Sequence, residues 1–95
     1  MFKRSSLRHI RIDVLSRPDC SLCHKAEFAI RRLITNMKLS PTRFQINNVN
    51  IEQDQELMDE FQLSIPVVQI DGKTVSEGRI DIPLIRACLE EKLQP

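Results

Sequence analysis

The sequence has no tryptophan and no tyrosine, and its four phenylalanines are scattered. A platform on which nucleic-acid bases stack has little to be built from. Charge of one sign is not in excess either. Fourteen lysines and arginines stand against 13 aspartates and glutamates in 95 residues, a formal net charge of +1. A nucleic-acid binder more often shows a marked basic excess, so no nucleic-acid partner is expected. No apolar run approaches the roughly 18 residues that mark a membrane span, so no membrane partner is expected. Met1 to Arg8 carry Lys3, Arg4 and Arg8 without the apolar stretch of a secretory signal. Residues 1–8 read as a basic tail and residues 9–95 as one domain, long enough for a single modest core. The expected compartment is the cytoplasm. The mitochondrion is the alternative, should the Arg- and Ser-bearing start be what is left of a transit peptide. Cysteine is scarce, at three residues, where a disulfide-stapled secreted scaffold would carry more. In a reducing compartment, paired thiols serve reactivity or metal binding rather than structural bridging.

What is present is a clear succession of periods. Ile10, Ile12 and Val14 alternate with Arg11 and Asp13, the pattern of a strand with one buried face that ends near Leu15. Ser16-Arg17-Pro18-Asp19 reads as a turn. From Cys20 to Met37, apolar residues at Leu22, Ala26, Ala29, Ile30, Leu33 and Met37 mark one face of a helix. Pro41 stops that helix and pushes Ser40 toward extended geometry. Phe44 and Ile46 open a second strand that runs toward Ile51. Asp54 to Gln62 reads as a short helix with Leu57, Met58 and Phe61 inward. Val67, Val68 and Ile70 make a third strand. Asp71-Gly72 is a two-residue hairpin turn into a fourth strand near Thr74 to Ser76. Asp81 suits the cap of a last helix with Pro83 in its first turn. Ile82, Ile85, Leu89 and Leu93 supply its stripe, and Cys88 lies beside it in the core. The expected fold class is α/β, in the order β-α-β-α-β-β-α. A right-handed parallel crossover, an antiparallel hairpin and helices on both faces would make a mixed four-stranded sheet.

Chemistry concentrates at Cys20-Ser21-Leu22-Cys23, where the first strand hands over to the first helix. A cysteine at a helix N-terminus meets unpaired backbone N–H groups and the positive end of the helix dipole. Both stabilise a thiolate, the attacking species in disulfide exchange. Two intervening residues keep both sulfurs within one turn, so one can resolve a mixed disulfide formed by the other. Cys20 is the expected exposed nucleophile and Cys23, one turn deeper, the resolving thiol.

Four segments together resemble the thioredoxin superfamily, and within it the glutaredoxin-like branch. They are Arg17-Pro18-x-Cys20-x-x-Cys23, Ser64-Ile65-Pro66-Val67-Val68, Asp71-Gly72-Lys73 and Gly78-Arg79-Ile80-Asp81. The resemblance covers roughly residues 10–93 and implies a thioredoxin fold. It implies that Pro66 is cis and faces the cysteine pair, and that the Ile65 backbone pairs with a bound thiol substrate as an added strand. It also implies that Arg17 helps to hold glutathione, with Gly78 and Asp81 receiving its γ-glutamyl end. The implied activity is thiol–disulfide oxidoreduction on protein or glutathione mixed disulfides. No tightly bound cofactor is implied, and glutathione would serve as reductant. The implied partners of a monomer are glutathione or a thioredoxin-type reductase, and disulfide-bearing proteins.

Two departures from the family stand out. Ser21-Leu22 replaces the usual Pro-Tyr between the cysteines. Glu77-Gly78 replaces a Gly-Gly pair and sets a negative charge near the place of an anionic tripeptide. Rival readings of the cysteines are weaker. Cys20-x-x-Cys23-His24 spells a c-type haem site, but covalent haem attachment normally needs export. Zinc would need a second ligand pair, and His9, His24 and Cys88 are the other soft ligands, so no metal is assigned. A binding module or an iron–sulfur carrier with little turnover remains the alternative function. The acidic residues Glu52, Asp54, Glu56, Asp59 and Glu60 read as a solvated face.

Overall fold

A computed structural model describes residues 9–38 and 41–94. The basic tail at 1–8 and Ser40 lie outside these residues. Strand β1 spans Ile10–Ser16 and is followed by helix α1, Ser21–Asn36. Strand β2, Phe44–Asn50, lies between two short 3-10 turns, Pro41–Arg43 and Ile51–Gln53. Helix α2 is Gln55–Phe61, strands β3 and β4 are Val67–Ile70 and Lys73–Glu77, and helix α3 is Ile82–Leu93. The sheet order is β2-β1-β3-β4. β1 and β2 are parallel, with Ile12 opposite Ile46. β1–β3 and β3–β4 are antiparallel. The expected order and mixed four-stranded sheet are what the structure shows.

The central position of β1 explains its composition. Ile10, Ile12 and Val14 face one core together with Ile30, Leu33, Val68, Ile70, Ile85 and Leu89. Leu15 faces the other core with Ile51, Phe61 and Val67. The strand therefore ends buried on both sides, where its alternation predicts one buried face. α1 and α3 cover the first core and α2 covers the second. Each fully buried Ile, Val or Leu contributes about 1.5–3 kcal/mol relative to exposure, so these two clusters hold the layers together. Ile51 supports the second core from a 3-10 turn rather than from a strand end.

The Asp71-Gly72 turn is as expected, with φ values of 50° and 86° at its two residues. That geometry matches the twist of a hairpin and favours Asp-Gly. Asp71 Oδ1 accepts the Arg11 N–H at 2.9 Å, fixing the turn to β1. β3 and β4 shift register between Val68 and Gln69, which leaves Val75 as the extra residue of a bulge. None of the described helices is long and apolar enough to cross a membrane.

Candidate active site

The loop after β1 is a tight turn, closed by a hydrogen bond from Cys20 N–H to Arg17 C=O at 3.1 Å. Pro18 suits the second position of such a turn because its φ is already set. Cys20 leaves the turn in an extended conformation and is the N-cap of α1. Its sulfur accepts the Cys23 N–H at 3.1 Å. Ser, Thr, Asp or Asn oxygens usually fill that role; here a cysteine sulfur does. Cys20 and Cys23 are joined as a disulfide, with Cα atoms 5.2 Å apart. Cys20 is half-buried, whereas Cys23 is 0% exposed. The asymmetry follows from position: Cys20 precedes the helix, and Cys23 belongs to its inward stripe with Ala26, Ile30, Leu33 and Ile34. Leu22, expected in that stripe, is instead 65% exposed. Cys23 takes the inward position one residue later, so Leu22 is rotated away from the core.

Two contacts hold the loop from outside. Arg17 Nε lies 3.0 Å from Glu52 Oε2, and His24 Nε2 lies 3.2 Å from the Pro18 carbonyl. Beneath them a polar chain ties α1 to the sheet. Ser16 Oγ donates to Asn48 Oδ1 at 2.7 Å, and Asn48 Nδ2 donates to Glu27 Oε1 at 2.8 Å. Arg31 pairs with Glu27 Oε2 at 3.0 Å. The Asn48 amide, and then Arg31, hold the Glu27 carboxyl below its ordinary value, against the opposing effect of burial.

The opposite wall is the segment before β3. The Ile65–Pro66 peptide is cis, as the resemblance implied. Gly78, with φ at 70°, donates its N–H to the Ser64 and Pro66 carbonyls at 2.6 and 2.9 Å. A left-handed residue is needed there for the chain to turn out of β4 while bonding both carbonyls, and glycine adopts it freely. Among the described residues these loop hydrogen bonds bypass Ile65. Ser76, buried, accepts the Asp81 N–H and donates to Arg79 C=O, both at 3.3 Å. Asp81 Oδ1 accepts the Leu84 N–H at 3.0 Å and caps α3.

A cavity of about 510 Å³ lies between these walls. It brings together Ile65, Pro66 and Gly78 with Leu22 and Ala26 from α1. Arg17 and Asp81 do not line it; the first is paired with Glu52 and the second is in its cap. Sequence reasoning passed over Lys25, Arg79 and Ile80 in the lining, and the Ser16–Asn48–Glu27 chain. These are ordinary surface and strand residues whose juxtaposition needs the folded sheet. Cys88, expected in the core, is half-buried and free, and lines a separate cavity between α3 and β4. Among the described residues no group of three or more His, Cys, Asp or Glu is placed to hold a metal ion.

Comparisons with known proteins agree with this geometry. The model of the glutaredoxin-like domain (DUF836) matches residues 11–90. A glutaredoxin-like protein of Dictyostelium discoideum is 32% identical over 79 residues, 81% of this chain and 72% of that protein. A solution structure from Nitrosomonas europaea superposes with a TM-score of 0.71 at 22% identity, covering 85% of this chain and 92% of that one. Oxidised thioredoxin from Plasmodium falciparum superposes with a TM-score of 0.57 at 13% identity, covering 96% and 88%. The thioredoxin fold is thus common to them, and the chain belongs to the glutaredoxin-like domain (DUF836) family.

Proposed function

We propose that the chain is a thiol–disulfide oxidoreductase that reduces protein or glutathione mixed disulfides by a dithiol cycle. The observation that carries this reading is the asymmetry of the pair. The Cys20 sulfur sits half-buried at the cap of α1 and receives a backbone N–H, while Cys23 is wholly buried one turn on. A helix N-terminus favours the thiolate of Cys20, and access favours its attack.

In the reduced protein, Cys20 thiolate attacks one sulfur of a substrate disulfide. The Cys20–substrate S–S bond forms, the original S–S bond breaks, and the second sulfur departs as a thiolate that takes up a proton. Cys23, having lost its proton, then attacks Cys20 Sγ and expels the first sulfur. The substrate has gained two electrons, and Cys20–Cys23 is the disulfide that the structure shows. Two equivalents of glutathione thiol, or a dithiol reductase, return the two electrons. In this reading the Ile65 main chain receives the substrate as an added strand and Pro66 walls the sulfurs. Glutathione, as reductant, meets Arg17 and the Gly78–Asp81 turn. Arg17 exchanges Glu52 for the tripeptide carboxylate, an exchange that costs little for an exposed pair.

Turnover of a glutathionylated peptide, coupled to glutathione and its reductase and in parallel to a thioredoxin reductase system, tests the proposal. Reduction by at least one system is expected, with its loss in Cys20→Ser. No reduction by either system would overturn it and leave the fold as a docking or iron–sulfur module.

A further inference from the structure

The cavity between α1 and the Ile65–Pro66 segment, which Leu22 of the Cys20-x-x-Cys23 stretch lines, has an uneven lining. Leu22, Ala26, Ala29, Ile65, Ile80 and Ile82 make it apolar, and its charged residues are Lys25 and Arg79. A second cavity of about 410 Å³ shares Ala29 and Ile82 and adds Phe28, Arg32 and Arg86. Through these shared residues the two adjoin along α1 and the start of α3, and they are taken together as one groove. Four cations and no carboxylate line it. Arg86 is paired with Glu90; Lys25, Arg32 and Arg79 enter no ion pair among the described residues. Leu22 and Phe28, at 65% and 64% exposure, present large apolar surface along the same run.

The opposite face has the opposite sign. Glu52, Asp54, Glu56, Asp59 and Glu60 lie on or beside α2, with no lysine or arginine between them. α2 covers the other side of the sheet from α1 and α3. The charge is therefore uneven: Lys25, Arg32 and Arg79 lie along the groove, with Glu77 next to its Gly78, and Asp54, Glu56, Asp59 and Glu60 lie behind it, where Glu52 is paired with Arg17. An acidic substrate is drawn to the groove face and repelled from the other.

We propose that this groove selects protein disulfides whose reacting cysteine is flanked by large apolar and acidic residues in an extended segment. This rests on the oxidoreductase reading above and adds its substrate class. The apolar side chain covers Leu22, Ala29, Ile80 and Ile82, and the carboxylates meet Lys25, Arg79 and Arg32. Glutathione has carboxylates for the cations and no large apolar group for the floor, so it uses only half of the surface.

Three substrates separate the possibilities: a Cys peptide flanked by Leu, Phe, Asp and Glu; one flanked by Gly, Ser and Lys; and a small aromatic disulfide. Both peptides carry the same small-thiol mixed disulfide, and kcat/KM is measured with excess dithiol reductant. The wild type should favour the acidic, apolar peptide by about tenfold, the scale of a few surface charge pairs acting together. The preference should shrink as salt shortens the screening length from about 10 Å at 0.1 M to about 3 Å at 1 M. Lys25→Glu with Arg79→Glu should abolish or invert the ratio of the two peptides. Lys25→Gln with Arg79→Gln should give an intermediate ratio, which keeps the test open if the reversal fails to fold. Equal rates for the two peptides, a preference for the basic peptide, or a ratio untouched by either double variant would overturn the groove proposal while the oxidoreductase reading stands. Failure to reduce all three substrates would instead overturn the oxidoreductase reading itself.

Discussion

In the proposed cycle Cys20 serves structure and chemistry through one atom. Its sulfur caps α1 and is a member of the disulfide, so Cys20→Ser preserves a capping oxygen while deleting the proposed nucleophile. The variant is expected to keep its unfolding free energy under reducing conditions to within about 1 kcal/mol, measured by denaturant titration, and to lose activity. Glu27 offers a pH test nearby. Its carboxyl is held below 4.5 chiefly by the Asn48 amide, so the folded state favours the charged form. The stabilisation is complete above that value and fades as pH falls through the lower folded pKa. Glu27→Gln should therefore be less stable than wild type at neutral pH, with the two melting curves converging in acid. A gap that persists at low pH would show that Glu27 acts through packing alone. The cysteine pair was legible in the sequence because residue type and spacing are local facts, whereas the cis Pro66 was implied by the family resemblance and not by spacing. The sequence pattern turns Leu22 inward only when Cys23 is left out of the apolar set; as a small hydrophobe, Cys23 belongs in it. Counting it as apolar moves the helical stripe onto Cys23, Ala26, Ile30, Leu33 and Ile34, the face that the structure buries.

Elements follow their end signals. Asp54 and Asp81 cap α2 and α3, and both helices begin where the sequence places them. Asp81→Ala should cost about 1 kcal/mol, the usual loss of an N-cap, read as a shift in the urea midpoint. An unchanged midpoint would mean that water replaces the carboxylate without loss. Gly78 joins two elements by bonding Ser64 and Pro66 from a left-handed conformation. Gly78→Ala is expected to destabilise by about 1 kcal/mol through backbone strain and to slow substrate reduction, since the turn borders the cavity. A stable Gly78→Ala protein with full turnover would remove that turn from the site. The bulge at Val75 lies inside the β3–β4 hairpin, where Val68 faces Ser76 and Gln69 faces Thr74, and the 3-10 turn at Ile51 is capped by the Asn50 side chain, which accepts the Glu52 N–H. Neither is a feature of hydrophobic period, so periodicity does not encode them.

At the scale of the molecule, the order of strands and helices was readable because each period is short and each break carries Pro, Gly or Asp. The burial of both faces at the end of β1 was not. Leu15 reads as the end of an alternating strand, and the docking of α2 on the second face encloses it. That double cover places the loop bearing Cys20 at the rim of a fully packed sheet, with Cys23 anchored in the core beneath. The groove was hidden for the same reason, since Leu22 and Lys25 on one helix meet Arg79 and Ile80 only in the folded chain. The central claim of the proposal is the division of labour between a half-buried attacking Cys20 and a fully buried resolving Cys23. Mass analysis without reductant tests it most directly, on reduced Cys20→Ser, Cys23→Ser and Cys88→Ser proteins exposed to a peptide disulfide. Cys23→Ser should accumulate one peptide adduct, because attack survives and internal release does not. Cys20→Ser should accumulate none at the pair, and Cys88→Ser should cycle as wild type does. An adduct trapped on Cys23 in the Cys20→Ser protein, or the absence of any adduct in Cys23→Ser, would contradict the account.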